Sequence, residues 1–182
     1  MVNGSDITGK RLRLRPVTPQ DAAFIHGLRT DPAYNTHLSP VTGTVADQRD
    51  WITAYKAREA AGQEIYCIIE RHDGVSCGTV RLYDITTDGF TWGSWILNND
   101  KPPKAALDSA VLLYDIGFEM LEKPRAVFDV RADNDRTVRF HLRFGATQTG
   151  RDPENLYFEL TRARFADLRP ALCEKLEVET LS

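Results

Sequence analysis

Residues 90–131 read as strand, helix, strand, and this passage narrows the choice of fold more than any other part of the chain. "FTWGSWIL" (Phe90 to Leu97) is apolar and rich in β-formers, while "RAVFDVR" (Arg125 to Arg131) alternates apolar and charged residues. Two strands joined by a helix at this length run parallel through a right-handed crossover. The helix, expected from about Ala105 to Glu122, gathers Asp108, Asp115, Glu119 and Glu122 on one narrow face and is apolar elsewhere, so it must pack on a sheet. Ligands of such sheets sit in the crevice beyond the carboxyl ends of the strands at the crossover. Here "NNDKPPKAA", Asn98 to Ala106, borders that crevice.

The flanking segments complete the sheet. "EIYCIIER", "CGTVRLYDI" and "FTWGSWIL" are joined around Asp73-Gly74 and Asp88-Gly89, dipeptides suited to hairpins, which predicts an antiparallel meander. Upstream, "KRLRLRP" alternates as a half-exposed strand that Pro16 ends. A helix then starts after Thr18 with Pro19 at its first position, and another spans about Thr44 to Ala61 with Trp51, Ile52 and Tyr55 on one stripe. Downstream, Asp133 is expected to cap a helix over "NDRTVRFHLRF" that ends at Gly145. "GATQTGR" and "NLYFELTR" form a closing hairpin, and the tail "FADLRPALCEKLEVE" reads as helix broken near Pro170. The expected fold class is α/β: one domain over 1–182, with a mixed sheet of six or seven strands, an antiparallel meander and one parallel βαβ crossover.

Composition excludes several classes. A chain of 182 residues supports one core. A net charge of -3 exerts no global pull on nucleic acid, so any basic site must be local. No apolar run approaches the ~20 residues of a membrane span, and "MVNGSDITGK" lacks the order of a signal peptide. The expectation is a cytoplasmic protein with no nucleic-acid or membrane partner. Cys67, Cys77 and Cys173 show no C-x-x-C spacing and the histidines are scattered, so no metal is expected.

The crevice loop carries its own chemistry. A helix starting near Ala105 leaves first-turn N–H groups without partners and presents its positive dipole end, which suits a phosphate. Lys101 and Lys104 add charge, and Pro102 and Pro103 preset φ while offering no N–H. A solvated basic turn has the same composition, so both readings stand. Neither G-x-G-x-x-G nor G-x-x-x-x-G-K-[ST] occurs, which argues against a nucleotide-binding module. In "WGSW", strand alternation puts Trp92 and Ser94 on one face and Gly93 and Trp95 on the other, one of which lines the pocket. The loop "YNTHLSPVTG" supplies Tyr34, Asn35, His37 and Ser39, groups that hydrogen-bond hydroxyl-rich ligands, and Arg13, Arg15 and Arg81 suit a diphosphate.

The element order resembles the Gcn5-related N-acetyltransferase (GNAT) family over nearly the whole chain. "LRLRPVTPQDA", "GTVRLYDI" and "NDRTVRFHLRFGA" are most similar to the subgroup of ribosomal-protein alanine acetyltransferases and amino-sugar acetyltransferases. The resemblance implies acetyl-CoA as donor and a small-molecule primary amine as acceptor that attacks the thioester directly; it also allows a homodimer. The family's pyrophosphate loop falls on Lys101, Pro102, Pro103, Lys104, Ala105 and Ala106, with Lys104 where the family has glycine, so that ammonium groups replace attraction lost with the amides. It further implies backbone contacts to acetyl and pantetheine from Ile96 and Leu97, and a CoA contact from Asn134. His141 falls where a tyrosine general acid is usual; an imidazole of ordinary pKa, about 6.5, donates a proton near neutrality. Thr91 stands at the family's glutamate position, which leaves His37, Asp84 and Asp88 as candidate bases acting through water. The expected acceptor is a nucleotide-linked amino sugar, met by Tyr34, His37, Ser39, Trp92 and Ser94. The alternatives are a ribosomal-protein-type N-terminal acetyltransferase and a non-catalytic acyl-CoA-binding domain.

Overall fold

The computed structural model describes residues 6–178. Residues 1–5, half of the stretch read against a signal peptide, and 179–182, which include the end of the predicted tail helix, lie outside the described residues. The elements in order are β1 (Ile7–Thr8), β2 (Leu12–Pro16), α1 (Ala22–Thr30), α2 (Val45–Ala60), β3 (Ile65–Arg71), β4 (Ser76–Tyr83), β5 (Phe90–Leu97), α3 (Ala105–Tyr114), β6 (Arg125–Arg131), α4 (Asp135–Phe144), β7 (Thr147–Arg151), β8 (Asn155–Thr161) and α5 (Arg162–Glu177). They form an α/β domain around one sheet ordered β1-β2-β3-β4-β5-β6-β8-β7. Its eight strands, rather than six or seven, include β1, whose two pairs with β2 are too short to leave a periodic pattern.

The sheet is covered on both faces. Leu12, Ile69, Val80, Leu82, Phe128 and Phe158 pack in one core with the buried side of α3 and with Phe165 and Leu172 of α5. Val17, Tyr66 and Ile68 pack with Ile25 of α1 and Ile52 and Tyr55 of α2 in another. Arg13 and Arg15 on β2 are held by the buried Glu70 of β3 at 2.9 and 2.6 Å, which commits them to the scaffold.

Three local expectations are corrected. Asp108 does not belong to an exposed acidic face: it is buried on α3 and accepts the N–H groups of Lys10, Arg11 and Leu12 at 3.3, 2.7 and 2.9 Å, tying the start of β2 to the helix. Asn134, not Asp133, caps α4, its side chain accepting from the Thr137 N–H at 3.2 Å. The last helix runs through Pro170 unbroken; Ala166, whose carbonyl loses its donor there, is exposed to water. Helix α3 itself gives way after Tyr114 to a wider π-turn over Asp115–Met120.

Among the described residues the only parallel pair, β5 with β6, is short. It consists of Phe90↔Ala126 and Thr91↔Val127, after which the strands part. A bulge in β5 opposite Thr79 and Arg81 accompanies the divergence, with Ser94 at φ 49° and its carbonyl taking the Thr79 hydroxyl at 2.8 Å. Beyond Thr91, therefore, β5 is paired with β4 alone and its other edge is open.

Candidate active site

The opening between β5 and β6 is a cleft of about 1040 Å³, lined from β5 by Trp92 to Leu97 and from β6 by Phe128 to Arg131. Strand alternation gives it two chemically different walls. Phe128 and Val130 point to the α3 side and are buried, whereas Asp129 and Arg131 point to the other face and are exposed.

His141 of α4 belongs to the apolar wall. Its ring lies 4.5 Å from Phe128, 5.3 Å from Trp92 and 5.3 Å from Phe140, centroid to centroid. Trp92 and Trp95, expected on opposite faces, are 5.4 Å apart on the same side, because the bulge adds the residue that reverses alternation. His141 is buried, its Nδ1 has no hydrogen-bond partner, and burial pushes its pKa down to about 3. At neutral pH the ring is therefore uncharged, which corrects the expectation of an imidazolium acid with an ordinary pKa. It gives the cleft lining a neutral ring whose Nδ1 is itself closed off from solvent.

The opposite wall carries Tyr83 and Asp129, neither of which sequence reasoning selected. Burial raises the Tyr83 pKa and the negative charge of Asp129 raises it further, so the two groups are electrostatic neighbours. A side chain on Gly93 would come within 3.2 Å of the Tyr83 hydroxyl, so glycine there admits the phenol to the strand. The period-2 pattern of "RAVFDVR" does put Asp129 on the face away from the core, but that face reads as solvent unless the strand beside it is known to peel away.

The lips of the cleft treat the predicted donor residues differently. Ile96, Leu97, Lys101, Ala106 and Asn134 all line it. The Lys101 ammonium donates to the Asn98 carbonyl at 3.0 Å. Lys104 does not line the cleft: it adopts φ 62°, a backbone state that glycine enters most easily, and its ammonium binds the carbonyls of Lys175, at 2.6 Å, and Val178 at the end of α5. Ala105 gives its N–H to the Pro102 carbonyl at 3.2 Å, which leaves Ala106 and Leu107 as the first-turn donors without intrahelical partners.

The loop between α1 and α2 crosses toward both lips. The Tyr34 hydroxyl accepts the Asn99 N–H at 3.3 Å, and His37 Nδ1 lies 3.3 Å from the Asp133 carboxylate. Tyr34, His37, Ser39, Trp92 and Ser94 line the cleft, whereas Asp84 is exposed at φ 49° in the turn after β4 and does not. Asp88 is likewise an exposed turn residue outside it. Arg13 and Arg15 are engaged by Glu70, as above, and of the three arginines expected at a diphosphate only Arg81 reaches the cleft. The charged side chains along the lining are Arg29, Arg81, Lys101, Arg131 and Arg136 against one carboxylate, Asp129. Among the described residues no group of His, Cys, Asp and Glu side chains is arranged to hold a metal ion, and no helix is long and apolar enough to cross a membrane.

Comparison with known proteins bears on this geometry. The acetyltransferase (GNAT) domain family matches residues 11–147. The apo structure of FdhC, a nucleotide-linked sugar GNAT, is 38% identical, with a TM-score of 0.88 over 95% of this chain and 99% of that one. A Vibrio cholerae protein described as a ribosomal-protein-serine acetyltransferase shares 18% identity and a TM-score of 0.74, covering 88% of this chain and 99% of its own. Spermidine N-acetyltransferase from Vibrio cholerae, in complex with CoA and spermine, shares 16% identity and a TM-score of 0.73 over 85% and 98% of the two chains. The latter two share the fold. A search of curated proteins found no match. A strand pair that splays beside a helix N-terminus, a family match across most of the chain and a 38% identical relative together establish that this protein belongs to the GNAT family of acetyl-CoA-dependent N-acetyltransferases.

Proposed function

We propose that this acetyltransferase modifies the amine of a nucleotide-linked amino sugar, with Asp129 receiving the ammonium. The observation that carries the reading is the charge layout of the cleft: cations along its length and a single carboxylate at the splay. That layout suits two polyanionic substrates, one of which brings an ammonium to one point. The 38% identical relative, a nucleotide-linked sugar GNAT, supports the same acceptor class.

The residues present fit acetyl-CoA. The open edge of β5 at Ile96 and Leu97 offers backbone groups to an extended pantetheine, and Lys101 with the N–H groups of Ala106 and Leu107 offers a pyrophosphate site. Asn134 uses its side-chain oxygen to cap α4, so its amide N–H2 is what remains for CoA. The neutral ring of His141 joins Trp92, Trp95 and Phe128 in an aromatic wall against which the donor's thioester can lie. Tyr34, His37 and Ser39 line the other side, where sugar hydroxyls would be met.

In the reaction the ammonium passes one proton to Asp129, and the freed amine attacks the thioester carbonyl. The C–S bond breaks as the amide forms, and the second proton moves from nitrogen to the departing sulfur. Trp92, Trp95 and Phe128 keep water from the thioester, because their rings close the apolar wall. Thiol release from acetyl-CoA, measured with nucleotide-linked amino sugars, free Ala or Ser peptides and polyamines, tests the acceptor. Efficient peptide acetylation with no response to any amino sugar would overturn it. Asp129→Asn should lower kcat by roughly 10²–10⁴-fold at unchanged CoA affinity if the carboxylate is the base.

A further inference from the structure

Two cleft-lining arginines stand apart from the donor end. Arg29 on α1 has no carboxylate within ion-pair distance among the described residues, and its only hydrogen bond is to the Ser39 carbonyl at 3.4 Å. Arg81 on β4 is held by Glu64, its Nε and Nη2 at 3.2 and 2.6 Å from one carboxylate oxygen, which leaves Nη1 without a partner. Its guanidinium lies 5.3 Å from the Trp51 ring and 5.1 Å from the Tyr83 ring, so its orientation is fixed before any ligand arrives. Both flank Tyr66: Arg81 is its cross-strand partner, and Arg29 lies one helical turn beyond Ile25, which packs in the same cluster as Tyr66.

Their position relative to the amine site matters. Arg81 and Tyr83 are two residues apart on one face of β4, with the guanidinium 5.1 Å from the phenol ring, and both line the cleft together with Asp129. Lys101, Ala106, Asn134 and Arg136 lie at the other lip, around the N-termini of α3 and α4.

From this geometry we infer that Arg29 and Arg81 form a second anion subsite, separate from the CoA pyrophosphate site, which binds the diphosphate of a nucleoside diphosphate acceptor. The inference rests on the proposed acceptor class and assigns its recognition to named residues. Arg29 supplies the uncompensated charge and Arg81 a preset N–H, so the subsite selects acceptors that carry a diphosphate over the same amino sugar without one.

The test is calorimetric titration of uridine and thymidine diphosphates into the full-length protein already saturated with CoA. The wild type should bind at least one of them, Arg29→Gln should weaken that binding about tenfold or more, and Arg29→Lys should retain part of it as a point charge. CoA affinity in Arg29→Gln should stay within twofold, and Arg136→Gln should leave nucleoside diphosphate affinity within twofold. No binding by the wild type, a loss confined to CoA, or a loss that follows Arg136 instead of Arg29 would each overturn the subsite. Turnover separates this from the acceptor reading: diphosphate binding that depends on Arg29 in an enzyme that acetylates no nucleotide-linked sugar retains the subsite and removes the acceptor, while such turnover unaffected by Arg29→Gln does the reverse.

Discussion

Replacing His141 by phenylalanine should flatten the acid side of the stability profile. In the folded protein the imidazole titrates at about 3 because it is buried among aromatic rings; in the unfolded chain it titrates near 6.5. Between those values the unfolded state binds a proton that the folded state does not, so stability rises with pH across the window and falls as acid is added. The slope is at most about 1.4 kcal/mol per pH unit. At pH 5.0, one and a half units below the unfolded pKa, the wild type should have lost about 2 kcal/mol relative to pH 7.5 on account of this residue alone. Phenylalanine has no such term, and any misfit it introduces among Trp92, Phe128 and Phe140 is independent of pH. Urea unfolding of both proteins at the two pH values gives the answer as a double difference, in which the shared carboxylates cancel. If wild type and variant lose stability equally, within about 0.5 kcal/mol, the buried neutral imidazole is wrong.

Lys104→Ala should destabilise the protein by about 1 kcal/mol, since the ammonium satisfies carbonyls at the end of α5, and should leave CoA affinity within twofold. Lys101→Ala should do the opposite, weakening CoA most at low salt; titration of CoA into both variants decides between them, and a loss of affinity in Lys104→Ala would return that residue to the phosphate. Asp108→Ala strips the acceptor from three backbone N–H groups, at about 1–3 kcal/mol each when they stay unpaired. A fall of at least about 3 kcal/mol in chemical unfolding is expected, and a loss below about 1 kcal/mol would mean that water replaces the carboxylate.

The parts of the fold that are local in sequence were legible, because caps, Asp-Gly turns and a strand-helix-strand passage are set by residues close together. The candidate site was legible only where it follows such local patterns, as in the expectation of a helix starting at Ala105. Nothing in "WGSW" marks the bulge that brings Trp95 beside Trp92, since the extra residue is defined by the partner strand. Asp129 looks like a solvent residue until the divergence of β5 and β6 turns its face into a cleft. Arg13 and Arg15 look free until β3 brings Glu70 beneath them, and the charge of Lys104 is claimed by carbonyls 71 and 74 residues away. A charged residue read from sequence has a type and a face, and its partner is supplied by topology.

The fastening of α3 has a kinetic meaning. Its first turns are tied to the start of β2 by Asp108 across 97 residues, and Lys104 reaches Lys175 across 71, while Arg11 bonds the Leu176 carbonyl across 165. Closing loops of that length costs chain entropy before any contact compensates, so these links form late, whereas the hairpins of the β3–β4–β5 meander need only neighbours. On a ribosome the meander can pair while synthesis continues, but Lys104 at the start of α3 cannot be fastened until the Lys175 and Val178 carbonyls have emerged. Contact order thus favours the meander before the long-range fastening of α3, and a ligand that binds only the folded cleft would stabilise the protein by mass action.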